Sequence, residues 1–204
     1  DTDSWSLSAY GTYYLSDRIY IDGILGYGWN DFQSNRNIIY QVSQDSVSRT
    51  ARSDYDGSQF GGSLGAGYIF NREALEFGVY GRLNYLNVDV DGFRETQASG
   101  LDLLVRDFDA TSLTTSVGGR ISRAYSTQTA VLVPQASFEW EHEFDNDAST
   151  LVAQFVNDPT DTAFEIFTDN PDRDYFRVGL GVTAVFPGGV SAFANYDTIL
   201  AKDE

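Results

Sequence analysis

The chain has 204 residues, lacks cysteine and methionine, and carries a formal charge of −17 from 30 acidic and 13 basic residues. The missing cysteines exclude disulfide scaffolds, thiolate metal sites and cysteine catalysis, and the acidic excess argues against a nucleic-acid-binding protein, which needs a basic surface. The chain also holds 14 Phe, 13 Tyr and 3 Trp, which argues against disorder because disordered segments are poor in aromatic residues.

Apolar residues recur at every second position along most of the chain, which is the pattern of strands with one apolar face. The alternation predicts eight strands. In chain order they cover residues 4–15, 18–30, 60–70, 75–85, 112–123, 132–143, 176–186 and 190–196. No segment shows the 3.6-residue period of an amphipathic helix. The predicted fold class is therefore all-β and antiparallel.

Short and long connections alternate between these strands. Four connections are tight turns and three are long polar stretches. The turns lie at 16–17, 71–73, 126–128 and 187–189, and the long stretches at roughly 33–57, 87–110 and 145–174. A transmembrane β-barrel has short periplasmic turns and long external loops, and a run of 18 apolar residues that would predict a transmembrane helix is missing. The pattern favours an up-and-down transmembrane barrel.

The two faces predicted by the alternation differ in composition. One carries aliphatic residues with aromatics near the strand ends, as a lipid-facing band does. These aromatics are Trp5, Tyr13, Tyr27, Trp29, Tyr68, Phe70, Phe77, Tyr85 and Trp140. The other face is polar and is predicted to line a wet lumen. The predicted lumen-facing residues are Tyr80, Arg82, Asn84, Arg120, Glu139, Glu141, Arg177 and Asn195. A soluble antiparallel barrel with one wet face is the alternative.

Much of the acidic excess falls in the long stretches. Residues 145–174 hold eight carboxylates against Arg173, and residues 87–110 hold six against Arg94 and Arg106. Carboxylates are oxygen ligands for divalent cations such as those that bridge lipopolysaccharide, but a solvated, repulsive surface is the simpler interpretation. No complete EF-hand loop is present. We therefore predict neither a metal site nor a cofactor.

One segment of the chain matches a sequence motif of hydrolases. Residues 61–65 read Gly-Gly-Ser-Leu-Gly and match G-x-S-x-G, and His142 follows downstream. The motif needs its serine on a sharp strand-to-helix turn. Ser63 instead lies within a predicted strand, and the alternation continues through Phe70. The glycines indicate a strand that bends or approaches a neighbour closely, and no enzymatic activity is predicted.

Three segments resemble the β-domains of autotransporters, the proteins of type V secretion. Residues 134–155 contain Trp140-Glu-His-Glu-Phe144 and resemble a strand ending in an aromatic-x-His-Glu-Phe motif of that family. Residues 175–197 resemble a family hairpin in which a Gly-Leu-Gly strand, a short turn and a Tyr-Asp strand follow one another. Residues 22–28 resemble a further family strand. The similarity covers nearly the whole chain.

The resemblance implies a twelve-stranded outer-membrane barrel that supports export or anchoring of an N-terminal passenger at the bacterial cell surface. It further implies outer-membrane lipid, lipopolysaccharide, the passenger segment and the Bam assembly machinery as partners, and a barrel that is not itself an enzyme. From the parity of the turns, the domain over residues 1–204 is expected to hold strands four to eleven, with three before and one after. The alternative is a small eight-stranded outer-membrane barrel with structural or ligand-binding acidic loops.

Overall fold

The computed structural model describes residues 1–42, 45–145, 150–167 and 172–201. In chain order the strands are β1 (Thr2–Tyr14), β2 (Ile19–Val42), β3 (Asp45–Arg72), β4 (Leu75–Val90), β5 (Phe93–Arg94), β6 (Leu103–Val105), β7 (Phe108–Arg123), β8 (Tyr125–Ser126), β9 (Val131–Glu143), β10 (Thr150–Phe155), β11 (Ala163–Phe167), β12 (Asp174–Val185) and β13 (Ser191–Leu200). The part of the chain described contains no helix long and apolar enough to cross a membrane.

Eight long strands form one antiparallel meander. Their order is β1-β2-β3-β4-β7-β9-β12-β13, and the small β8 adds to β9. The eight long strands correspond to the eight predicted from alternation, so the all-β antiparallel prediction is confirmed. A second, four-stranded sheet has the order β11-β10-β6-β5 and is built from the long connections β4–β7 and β9–β12.

Short and long connections lie at opposite ends of the main sheet, which we call the turn end and the loop end. At the turn end, the Ser16 hydroxyl oxygen accepts hydrogen bonds from the amides of Arg18 at 3.3 Å and Ile19 at 3.1 Å. Gly188 and Gly189 have φ angles of +89° and +87°, which a residue without a Cβ adopts at little cost. These local interactions fix the tight reversals that the sequence predicts.

Of the stretch 33–57, predicted as a loop, residues 33–42 and 45–57 are strand instead. β2 and β3 stay paired without a break from Ile19–Tyr68 to Val42–Asp45, so this hairpin extends far beyond its neighbours. We call residues 31–56 the arm. The prediction was wrong because most side chains of this hairpin are polar, so the apolar alternation by which strands are recognised is missing. Its polar composition is therefore compatible with a strand.

Burial in the main sheet is the reverse of that in a soluble protein. Glu141 and Glu143 are each only 6% exposed, whereas Leu64 is 63% and Leu180 59% exposed. Within the described residues, the buried apolar side chains are all small, namely Ala51, Val90, Ala98, Val105, Ala130 and Ala153. An outer surface this apolar is stable only in contact with an apolar solvent or a protein partner. The lipid around a transmembrane barrel is such a solvent.

Aromatic residues form two belts on the exposed apolar face. The loop-end belt contains the ring pairs Tyr27–Trp29 and Phe60–Tyr85, and the turn-end belt contains Tyr68–Phe70 and Phe70–Phe77. Phe60 and Phe70 are ten residues apart on β3, or about 33 Å along the strand. With a strand tilt of about 40°, this becomes about 25 Å along the membrane normal, the height of the apolar band of outer-membrane barrels.

Candidate functional site

The polar face of the main sheet is concave, and we call it the inner face. A cavity of about 380 Å³ lies on it and is lined by residues of β2, β3, β4, β7, β9, β12 and β13. Four of the predicted lumen-facing residues line this cavity, namely Tyr80, Arg82, Arg120 and Asn195. The unbroken pairing of the strands places the other four on the same face, namely Asn84, Glu139, Glu141 and Arg177.

Among the described residues of the main sheet, three ion pairs join strands across the inner face. Arg82 lies 2.9 Å from Asp22, Arg120 lies 3.8 Å from Glu76, and Arg177 lies 2.8 Å from Glu141. Arg82 and Arg120 thus pair with Asp22 and Glu76 and not with the glutamates of β9, which share their face. The choice depends on which residues the strand register brings together, and one-dimensional alternation carries no information about register.

The buried carboxylates of β9 receive hydrogen bonds from neighbouring strands. The Tyr175 hydroxyl donates to Glu141 Oε2 at 2.7 Å, and the Leu113 amide donates to Glu143 Oε1 at 2.9 Å. The Ser112 hydroxyl also donates to Glu143. A charge taken out of water needs such partners. The interactions hold β7, β9 and β12 in register near the loop end of the inner face.

Glycines on the inner face make room for rings that lie flat against the wall. A Cβ on Gly67 would come within 2.3 Å of the Tyr20 ring, and one on Gly118 within 2.9 Å of the Tyr80 ring. In each case the ring projects from the neighbouring strand at the paired position. Because the rings lie against glycine, they leave the middle of the concave face open. Gly67 and Gly118 thus allow a close approach of side chains from the neighbouring strands.

The hydrolase motif does not assemble a catalytic pair. Ser63 lies on β3 with its side chain on the inner face, paired across the strands with Ile24 and Asn84. His142 lies on β9 on the opposite, apolar face, where its Nδ1 is 2.9 Å from Asp174 Oδ1. Two strands, β4 and β7, separate β3 from β9. The serine and the histidine are therefore on different sides of the sheet.

The acidic loops use their carboxylates for local hydrogen bonds. Asp158 accepts hydrogen bonds from the Thr160 hydroxyl at 2.7 Å, the Thr160 amide at 2.9 Å and the Thr162 amide at 3.0 Å. These bonds, that of the Thr160 hydroxyl first, hold the pKa of Asp158 below its ordinary value. Among the described residues, no group of three or more His, Cys, Asp or Glu side chains is arranged to hold a metal ion.

Comparisons with known proteins agree in pointing to one family. The family model described as autotransporter beta-domain matches residues 1–197. Outer membrane protein A of Rickettsia rickettsii is 23% identical over 180 residues, which are 87% of this chain and 8% of that protein. The solved translocator domain of the autotransporter NalP from Neisseria meningitidis superposes with a TM-score of 0.65 at 20% identity, covering 98% of this chain and 62% of that one.

Proposed function

The chain belongs to the autotransporter β-domain family and forms the wall of an outer-membrane translocator barrel, and on that premise we propose that its inner face lines the route of a passenger segment of the same polypeptide. The observation that supports this route is the contrast between the exposed apolar outer face and the concave, charged inner face. A polar lumen keeps an unfolded polar segment solvated while lipid is excluded. The family assignment confirms the resemblance noted in the sequence.

The proposed barrel is larger than the eight strands. Among the described residues, β1 pairs only with β2 and β13 only with β12, so these strands do not close as a small eight-stranded barrel. Unpaired strand edges in lipid leave backbone groups without hydrogen bonds. We therefore propose that the domain over residues 1–204 is completed to twelve strands by three strands before β1 and one after β13. This chain covers 62% of the solved translocator chain, which supports the presence of further strands in the complete domain.

The proposed partners follow from the two faces. Outer-membrane lipid and lipopolysaccharide contact the apolar outer face and its loop-end rim, and the Bam machinery inserts the barrel into the membrane. The passenger segment contacts Tyr80, Arg82 and the other inner-face residues. Translocator domains of this family are transport barrels, and we propose that this one acts by enclosing and orienting the passenger, with no residue in a catalytic role.

Site-specific photo-cross-linking in the full-length protein tests the route. A photoreactive amino acid replaces Tyr80 on the inner face or, as the matched control, Val79 on the outer face, which is 40% exposed. During export of a passenger stalled by a folded domain, we expect cross-links to the passenger from position 80 and none from position 79. Equal cross-linking from both positions, or cross-links from position 79 alone, would refute the proposed route.

A further inference from the structure

The small four-stranded sheet continues the wall of the barrel beyond the main sheet. After β4 the chain runs on along the arm: the Asp91 amide donates to the Asp56 carbonyl at 2.9 Å, and Thr96 and Arg52 exchange backbone hydrogen bonds of 2.9 Å in each direction. β5 lies in this run, and β6, β10 and β11 follow it as successive antiparallel neighbours. The arm and the small sheet therefore form one continuous surface, which we call the external wall.

One side of the external wall continues the inner face. Ser63 and Tyr55 are eight residues apart on β3, which stays paired with β2 without a break, so both side chains point to the inner side. Phe93 stacks on Tyr55 with ring centroids 4.1 Å apart. Two residues further on, Glu95 Oε1 accepts a hydrogen bond of 2.8 Å from Nε of Arg36, which lies on the inner side of β2 by the same alternation. The ring stack and the ion pair thus agree on which side of β5 is the inner side.

The inner side of the small sheet is apolar, in contrast to the inner face of the main sheet. From Phe93 the strand register leads across the sheet through Val105, Ala153 and Phe164, which are successive partners. The other side chains that the four strands place on this side are Leu103, Leu151, Phe155 and Ile166. The opposite side includes Arg94, Gln154 and Glu165. A sheet with one apolar face is stable when another element covers that face.

Part of this apolar side is open. Val105 is 4% and Ala153 1% exposed at its centre, whereas Phe155 is 41%, Phe164 37% and Ile166 48% exposed. The rings of Phe155 and Phe164 have centroids 5.8 Å apart, and Ile166 is the next residue on the same side of β11. We call these three residues the exit patch. A contiguous apolar patch that faces water marks a site of interaction.

The location of the exit patch indicates its occupant. Tyr55 lies five residues beyond Phe60 of the loop-end belt, or about 17 Å along the strand, so the external wall stands outside the apolar band. Lipid and a second barrel would approach from the outer side of the wall, whereas a chain that leaves the lumen along the inner face passes the inner side next. An unfolded chain carries apolar side chains, which are poorly accommodated by water. The passenger therefore fits the position and the chemistry of the patch.

We propose that the exit patch binds apolar side chains of the passenger as they leave the lumen. The proposal rests on the proposed function, because it requires the passenger to follow the inner face. The polar lumen offers little contact to these side chains, and the patch removes them from water directly beyond it. Each apolar side chain bound outside the membrane opposes the return of the passenger into the lumen and so favours outward movement.

Site-specific photo-cross-linking in the full-length protein, with the passenger stalled by a folded domain, tests the contact. A photoreactive amino acid replaces Phe164 or, as the matched control, Phe167, which lies on the opposite side of the same strand and is 67% exposed. We expect cross-links to the passenger from position 164 and none from position 167. Cross-links from position 164 only to the barrel domain itself, or equal cross-linking to the passenger from both positions, would overturn the exit patch.

Position 80 separates a failure of the exit patch from a failure of the route. Cross-links to the passenger from position 80 without any from position 164 would contradict the exit patch and leave the route intact. An absence of cross-links from position 80 would contradict the route, and with it the premise of the exit patch.

Replacement of the exposed apolar side chains tests what the patch does. In cells that make the full-length protein, the double variant Phe164→Gln with Ile166→Gln is expected to slow the appearance of a passenger epitope at the cell surface at least about threefold, because it removes apolar contact from two side chains. External protease added at intervals measures the rate. Phe167→Gln is the control and is expected to export like the wild type. Heat-modifiable migration reports whether each barrel is folded, and equal export rates for all folded variants would overturn the proposal.

Discussion

Leu83→Arg is expected to lower the free energy of unfolding of the complete barrel by about 2–4 kcal/mol, the cost of an arginine on the lipid face near the bilayer midplane. Leu83 is 47% exposed on the outer face of β4. Its partner on β3 is Leu64, which lies between the aromatic belts marked by Phe60 and Phe70. Denaturant titration of the barrel in lipid vesicles measures the effect.

Asn84→Arg is the control for that variant, one residue further along the same strand. Asn84 is on the inner face, where its amide donates to the Thr114 hydroxyl at 3.1 Å. The arginine would enter a wet lumen, and the expected loss is below about 1.5 kcal/mol, the net value of one neutral hydrogen bond. If the two substitutions cost the same, or if Asn84→Arg costs more, the assignment of the two faces is wrong.

Gly67→Val is expected to destabilise the barrel by about 1–3 kcal/mol, as overpacking of a well-filled site does. The new Cβ would lie 2.3 Å from the Tyr20 ring, which rests on Gly67 across the β2–β3 pair. The ring must leave the wall and move into the lumen. The same vesicle titration reports the loss of stability, and partial blockage of the lumen should lower the conductance of the open barrel.

Two controls separate the ring contact from a general effect of valine. Gly11 is on the apolar outer face of β1, and a Cβ there meets no described residue within 4 Å, so Gly11→Val is expected to leave stability within about 0.5 kcal/mol of the wild type. Adding Tyr20→Ala to Gly67→Val removes the clash and should recover part of the loss. If the double variant is no more stable than Gly67→Val alone, the ring is not the cause.

The sequence alone predicted the strands of the main sheet and their two faces. The alternation of apolar and polar residues predicts these strands correctly because lipid contacts one face of the sheet and water the other. Adjacent residues such as Leu83 and Asn84 therefore differ in polarity. The resemblance then identified the family, which the comparison over residues 1–197 bears out. The role of the inner-face residues as the passenger's route is still a proposal.

The parts that the sequence did not predict are those where no solvent boundary imposes a pattern. One side of the arm packs against the β4–β7 connection through few apolar side chains, such as Ala51 and Tyr55, so its apolar alternation is weak and it was interpreted as a loop. The small sheet of β5, β6, β10 and β11 depends on pairings between two distant connections. The pairs Arg82–Asp22 and Arg36–Glu95 join residues about 60 positions apart, and only the register of the folded strands brings them together.

Cysteine labelling along β4 in the full-length protein tests the central claim most directly. The chain is free of cysteine, so single cysteines at positions 79 to 84 report one at a time on the solvent that each side chain meets. A small, membrane-impermeant thiol reagent is expected to modify positions 80, 82 and 84 and to spare 79, 81 and 83. Uniform labelling, or labelling of the odd positions only, would contradict a lipid-facing outer surface and a water-filled lumen.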